Sequence, residues 1–239
     1  MGYCCGRETP PDYSKAFSYY LRSFELSPMG AVVEILLTCA AEMENYNAEI
    51  IQRLYTKYKE LEPNSVKPDL AMANFYQSKI QPDFGKAEEH YMNAFRIDPS
   101  NNEVLTGLGE FYQNIPQPDI KKSFNYLNEL VNREPDNMNA NFRLGWGNFI
   151  TGNYEPARIF FEKCTSPWEY ENAVYQNLGH IALIQHDIAK ARQLYKKSCE
   201  LFGDKERFYN SSLEDFKYME KAGIKSDEFD LVLHEAVES

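Results

Sequence analysis

"RLGWGNFITGNYEPARIFFEKC", residues Arg143 to Cys164, decides the fold. Trp146 stands between Gly145 and Gly147, with Phe142 and Phe149 flanking them. A short polar stretch, Thr151 to Asn153, separates this run from a second one carrying Ala157, Phe161 and Cys164 at helical spacing. Glycine within a helix costs about 1 kcal/mol relative to alanine, so Gly145 needs a reason. Close approach of a paired helix supplies one. The pattern recurs in "LTGLGEFY", with Leu108, Gly109 and Tyr112, and in "YQNLGHIAL", with Leu178 and Gly179.

Between these runs lie regular stops. "FELSP", "YKELEP", "FRIDP" and "VNREP" end at Pro28, Pro63, Pro99 and Pro135, which are 35, 36 and 36 residues apart. A proline just past the last turn ends a helix, because its ring cannot continue it. Upstream of each stop runs an aromatic-rich amphipathic segment. In "GKAEEHYMNAF" the apolar stripe is Ala87, Tyr91, Ala94 and Phe95. The chain therefore reads as tandem helix pairs of about 34 to 36 residues.

On these residues the chain resembles the tetratricopeptide repeat family, whose pattern is Trp-x2-Leu-Gly-x2-Tyr, then Ala-x3-Phe, then Pro. The fifth unit carries Leu144, Gly145, Tyr154, Ala157, Phe161 and the small Cys164. The sixth carries Leu178, Gly179, Ala191, Tyr195 and Ser198, with Gly203 in place of the proline. The third matches at Tyr76, Ala87, Tyr91 and Pro99, and the fourth at Gly109, Tyr112, Leu127 and Pro135. Both carry two extra turn residues, around "IQPD" and "IPQPD". The second unit has Cys39, Ile51 and Tyr55 in the matching slots. The resemblance implies an all-α, right-handed superhelical solenoid of antiparallel helix pairs over residues 1–203, beginning part-way through a repeat. Residues 204–239 follow as a C-terminal capping helix pair of the same domain, since a terminal repeat needs a polar outer face. In it, residues 205–222 read as one helix with Phe208, Leu213, Phe216 and Met219 inward and Gly223 as its C-cap. A second helix opens at Ser226 as N-cap, with Phe229, Val232, Leu233 and Ala236 on one side.

Composition narrows the function. Net charge is −11, which repels a phosphate backbone, so no nucleic acid is expected as a partner. A basic protein surface is the natural complement. No apolar run approaches the roughly 18 residues that span a bilayer, and no basic-then-apolar leader opens the chain, so the expectation is a soluble, cytoplasmic protein with no membrane partner. The opening "MGYCCG" has Gly2 and two cysteines, but Gly6 stands where a lipidation signal wants Ser or Thr. Five cysteines without CxxC spacing and four histidines without ligand spacing predict neither a disulfide framework nor a metal site. Cys4, Cys39 and Cys164 fill slots where other units have Gly, Ala or Ser, so they read as packing residues. No nucleophile elbow, phosphate loop or dinucleotide fingerprint is present, and no enzyme, catalytic residue or cofactor is expected.

The resemblance implies that the first helix of each pair lines the concave surface. With Gly145 turned to its partner helix, Phe142, Trp146, Phe149 and Ile150 share another arc of roughly 100°. Equivalent positions hold Gln176, His180, Leu183 and Ile184 in the sixth unit, Glu110, Gln113 and Asn114 in the fourth, and Asn74 and Gln77 in the third. One branch of the family clamps a chaperone's C-terminal carboxylate with Lys and Asn at these places. Here the lysine slots hold Leu36, Leu70, Thr106, Phe142 and Gln176, and only Asn74 is present, so that clamp is absent.

Two readings of Phe142, Trp146 and Phe149 stand. Their i, i+4, i+7 spacing suits a core stripe, whereas the repeat register turns them outward. Outward, they would expose on the order of 400 Å² of apolar surface, which monomers seldom leave bare. The cover is either an external peptide or helix, with Glu110 and other acids selecting basic side chains, or the chain's own residues 226–238, with Phe229, Val232 and Leu233 as built-in ligand. The expected function is a non-catalytic scaffold or adaptor that binds a peptide or helix in the concave groove. The alternatives are a peptide-sensing regulatory protein and a self-associating structural component.

Overall fold

The computed structural model describes residues 12–164 and 170–238. The packing slot expected for Cys4 and the "MGYCCG" pattern lie outside them. Among the described residues there are fourteen helices and no strand. The protein is an all-α helical repeat of the solenoid class. By contact it divides into two compact units, 1–116 and 117–239, each with its own hydrophobic core.

The first unit holds α1 (Tyr13–Leu26), α2 (Gly30–Ala41), α3 (Ala48–Leu61), α4 (Lys67–Ser78), α5 (Phe84–Ile97) and α6 (Asn102–Asn114). The second holds α7 (Ile120–Arg133), α8 (Met138–Ile150), α9 (Tyr154–Glu162), α10 (Glu171–Ile184), α11 (Ile188–Phe202), α12 (Lys205–Glu214), α13 (Phe216–Lys221) and α14 (Ser226–Glu238). Local chemistry sets most of these limits. Helices α1, α3, α5 and α7 stop two residues before Pro28, Pro63, Pro99 and Pro135, where the expected stops fall. At the other end, Asp12, Asp83, Asp119 and Asp187 cap α1, α5, α7 and α11, each carboxylate accepting from the backbone N–H three residues on. The α4–α5 and α6–α7 connections are five residues, 79–83 and 115–119, against three for α8–α9 and α10–α11. That difference is the two-residue insertion expected in the third and fourth units.

Inside the pairs, glycine meets ring. A Cβ on Gly145 would lie 2.8 Å from the Phe161 ring, and one on Gly179 would lie 2.6 Å from the Tyr195 ring. Both rings are fully buried. Burying a side chain of this size is worth about 1.5–3 kcal/mol, which offsets the helical cost of the glycine. In α6 the close approach falls on Gly107 against Tyr91 of α5. The core of the first unit gathers Val33, Leu36, Ile51, Leu54, Tyr58 and Phe75.

The first unit also buries a charge. Asp69, fully enclosed at the start of α4, accepts hydrogen bonds at 2.8 Å from both the Tyr55 hydroxyl and Lys59 Nζ. His90 Nδ1 lies 2.9 Å away. Burial on its own would raise this carboxyl, but His90, Lys59 and Tyr55 outweigh it and hold it down at about 2. A group lowered in the folded state stabilises fully above its ordinary value and loses that contribution as pH falls towards the folded one. Asp69→Asn should therefore cost roughly 2 kcal/mol at neutral pH and much less near pH 2. Urea titrations at pH 7, 4 and 3 read this directly, and a pH-independent cost would refute the ion-pair account.

Two differences from expectation lie near the C-terminus. The helix read over 205–222 is broken at Asp215 into α12 and the six-residue α13, and Leu213 faces outward, 40% exposed. Ser226 is the first residue of α14. Phe208, Met219, Phe229, Val232, Leu233 and Ala236 are buried as expected. Helix α14 runs along α11, tethered by Arg192 to Glu235, Lys205 Nζ to the Val237 carbonyl, and the Tyr209 hydroxyl to Asp230.

One turn recurs. Gly152 between α8 and α9 has φ 80°, and His186, 34 positions on between α10 and α11, has φ 60°. In each, the next residue's N–H reaches five residues back, Asn153 to the Asn148 carbonyl and Asp187 to that of Ala182, both at 2.9 Å.

Candidate functional site

Helix α8 begins at Asn137, whose Oδ1 accepts from the Ala140 N–H at 3.0 Å. With Gly145 set against Phe161, the register of α8 follows. Phe142 is half-buried, its ring 5.5 Å from that of Phe161 in a T-shaped pair. Trp146 is half-buried too, 5.7 Å from Phe149 on its own helix and 5.3 Å from Tyr218 of α13, with which it forms a T-shaped pair at 85°. Ile150 is half-buried at the end of the helix. Phe149 is 1% exposed, packed between Tyr154, His180 and Tyr218.

On α10 the enclosure is complete. His180 and Leu183 are fully buried. His180 Nδ1 is 2.8 Å from the Tyr195 hydroxyl, and Nε2 is 3.4 Å from Asp215 Oδ2. A carboxylate facing Nε2 favours the tautomer with its hydrogen there, which leaves Nδ1 to accept from Tyr195. Burial pushes the Tyr195 hydroxyl far above its usual range, so it stays protonated to donate. Gln176 Nε2 donates to Asp215 Oδ2 at 3.2 Å, and Ser211 donates to Gln176 Oε1 at 3.4 Å. The Phe229 ring of α14 lies 5.8 Å from His180.

The residues expected to line a concave surface thus fall into two sets. In the second unit Phe142, Trp146 and Ile150 keep partial exposure, whereas Phe149, His180 and Leu183 are core, which corrects their expected accessibility. The cause is the chain's own C-terminal part: Tyr218 covers Trp146 and Phe149, while Asp215 and Phe229 cover His180. In the first unit, Asn74 of α4 is exposed and its Oδ1 accepts from the Tyr91 hydroxyl at 2.7 Å; Gln77 Oε1 is 3.2 Å from the same hydroxyl. Glu110 of α6 is half-buried and Gln113 is 4% exposed, so only the first faces solvent appreciably. Sequence reasoning missed Tyr218 and Asp215. An unbroken helix with Phe208, Phe216 and Met219 inward turns Tyr218 away, and Asp215, though beside that inward face, is a charged residue that apolar patterning passes over.

The cysteine thiols are suited to packing. Burial raises those of Cys39 and Cys199 and pushes that of Cys164 up to about 12, so none is a ready thiolate. No cluster of three metal-ligating side chains occurs among the described residues. None of their helices is long and apolar enough to cross a membrane.

Helix pairs whose second helices begin 34–36 residues apart, several with a ring set on a glycine, make a helical repeat like that of tetratricopeptide proteins. The comparisons agree. A tetratricopeptide repeat model matches residues 173–205, spanning most of α10 and all of α11, and a Sel1 repeat model matches residues 1–28. Among solved structures the chain resembles YrrB, described as a tetratricopeptide repeat protein with an unusual peptide-binding site. Identity is 18% and the TM-score 0.54, over 84% of this chain and 97% of that one. It also resembles a chain of the APC/C hetero-tetramer Cut9–Hcn1, with 13% identity and a TM-score of 0.61, over 95% of this chain and 42% of that one. No curated protein matches in sequence.

Proposed function

We propose that the protein is a non-catalytic interaction scaffold that receives a peptide or helix of another protein on the first helices of its repeats. One observation carries the reading: Trp146, a large aromatic on α8, is met outside its own helix by Tyr218, a side chain from the chain's own C-terminal part. A large aromatic left partly exposed on a groove-forming helix is built like a binding surface. The likeness to YrrB supports a peptide as ligand, and that to the Cut9–Hcn1 assembly supports work as a subunit. In the first unit Asn74 and Glu110 supply polar contacts, the acid favouring basic side chains. The Phe229 ring, 5.8 Å from His180, supports self-occupancy by residues 226–238 at that end. That shielding favours a peptide-sensing role as the second reading.

The test is affinity capture followed by a purified binding assay. A partner recovered with the wild type should bind at least tenfold more weakly to Trp146→Ala, or to Glu110→Lys, with the circular dichroism spectrum unchanged. Equal affinity for all three proteins would remove the scaffold reading at these residues.

A further inference from the structure

We infer that copies of this protein associate through unlike faces, the outer side of α1 on one copy receiving the outer side of α14 on another. The inference goes beyond the scaffold reading and does not depend on it. On α1, Phe17, Leu21 and Phe24 pack into the core of the first unit. The opposite side of that helix carries Lys15, Tyr19, Arg22 and Leu26 at i, i+4, i+7 and i+11. On α14, Phe229, Val232, Leu233 and Ala236 are buried, and the opposite side carries Asp227, Leu231, His234 and Glu238 at the same spacing. All eight outer residues are exposed. Leu26 at 82%, Tyr19 at 66% and Leu231 at 57% are the three most exposed large hydrophobic side chains among the described residues. One exposed apolar side chain is ordinary, but here the three extremes fall on two faces.

Local charge names the occupant. The α1 face is cationic, and neither Lys15 nor Arg22 pairs with an acid among the described residues. The nearby acids are engaged, Asp12 as the cap of α1 and Glu25 with Arg53 at 3.7 Å. The α14 face is anionic. Asp230 and Glu235 on that helix are taken by Tyr209 and Arg192, whereas Asp227 and Glu238 have no cation among the described residues. Copies with a net charge of −11 repel one another in general, so contact needs a local patch of opposite sign. A second copy supplies it: Tyr19 and Leu26 meet Leu231, while Lys15 and Arg22 meet Asp227 and Glu238. Because the two faces differ, the contact is heterologous. Helices of 14 and 13 residues are about 20 Å long, and one such crossing buries well under the roughly 1,600 Å² of a standard interface. Association is therefore weak and concentration-dependent.

Analytical ultracentrifugation of the full chain from about 10 μM to 1 mM, where a weak interface forms and dissociates, tests this. The average mass of the wild type should rise with concentration. Lys15→Glu/Arg22→Glu and Asp227→Lys/Glu238→Lys should each associate at least tenfold more weakly, with circular dichroism unchanged, and so should Leu231→Ser. Mixing the two charge-reversed proteins should restore association, because the reversed faces match each other and so do the unaltered ones. A chain carrying all four reversals should again associate with itself, which a misfolded variant would not. A wild type that stays monomeric throughout overturns the inference; the occupant of the α1 face would then be residues 1–11 or a different protein. Association that survives either reversal or Leu231→Ser, or that mixing fails to restore, overturns it too. None of these results touches the scaffold reading, which is tested at Trp146 and Glu110.

Discussion

Replacing Phe229 with alanine should destabilise the second unit by about 3–5 kcal/mol, the range for emptying a buried phenylalanine site. The ring is fully enclosed, stacked on Phe216 at 5.5 Å and close to His180 and Tyr195. Val232, Leu233 and Ala236 are buried on α14 as well, but they are smaller than the ring that would be lost. Its tethers, Arg192 to Glu235 and Tyr209 to Asp230, join partly exposed groups, and such surface pairs are worth about 0–1 kcal/mol each. The loss should therefore be local first. Hydrogen exchange should show amides of α14 losing protection while those of α2 to α4, in the other unit's core, keep theirs. A cost under about 1 kcal/mol with α14 protection intact would mean that Val232, Leu233, Ala236 and the tethers hold the helix without the ring.

The second large effect concerns the seam between Gly145 and Phe161. Phe161→Ala should also cost about 3–5 kcal/mol, because the ring is buried against a glycine that leaves no side chain to collapse into the void. The informative measurement is the double-mutant cycle with Gly145→Ala. In the wild type an added Cβ meets the Phe161 ring at 2.8 Å, so the substitution should destabilise by about 1–3 kcal/mol despite the better helix propensity of alanine. In the Phe161→Ala background the same methyl enters empty space, and its cost should vanish or reverse. Chemical denaturation of the four proteins gives the coupling, expected above about 1 kcal/mol. Additive effects would show that Gly145 is retained for some reason other than the ring.

What the sequence made legible was local. Helix stops at the four prolines, longer turns at "IQPD" and "IPQPD", and the close approach of a paired helix at Gly145 all depend on residues within one repeat. Which first-helix side chains face solvent depends on residues much further along the chain. His180 is enclosed by Asp215 and Phe229, which lie 35 and 49 positions on, and Trp146 by Tyr218, 72 positions on. Repeat register gives a direction for a side chain and no account of what arrives to cover it. Trp146 accordingly lies between the two readings that its spacing allowed. It is neither core nor open surface, and the break at Asp215 that made the difference had no mark in an otherwise regular amphipathic pattern. The division near Pro116 was equally silent, showing in sequence as a turn with two extra residues.

The left-handed turn that Gly152 and His186 both make has a consequence for how this chain bears mutation. Gene duplication leaves a tandem protein holding several drafts of one solution, and the drafts here disagree. Glycine enters that conformation freely, whereas a side-chain-bearing residue is strained there by about 1–2 kcal/mol. The sixth unit has kept histidine at the position where the fifth has glycine. Its helix pair evidently has enough stability elsewhere to carry the worse draft. Lines of descent that lose that surplus would have the remedy already written 34 residues upstream.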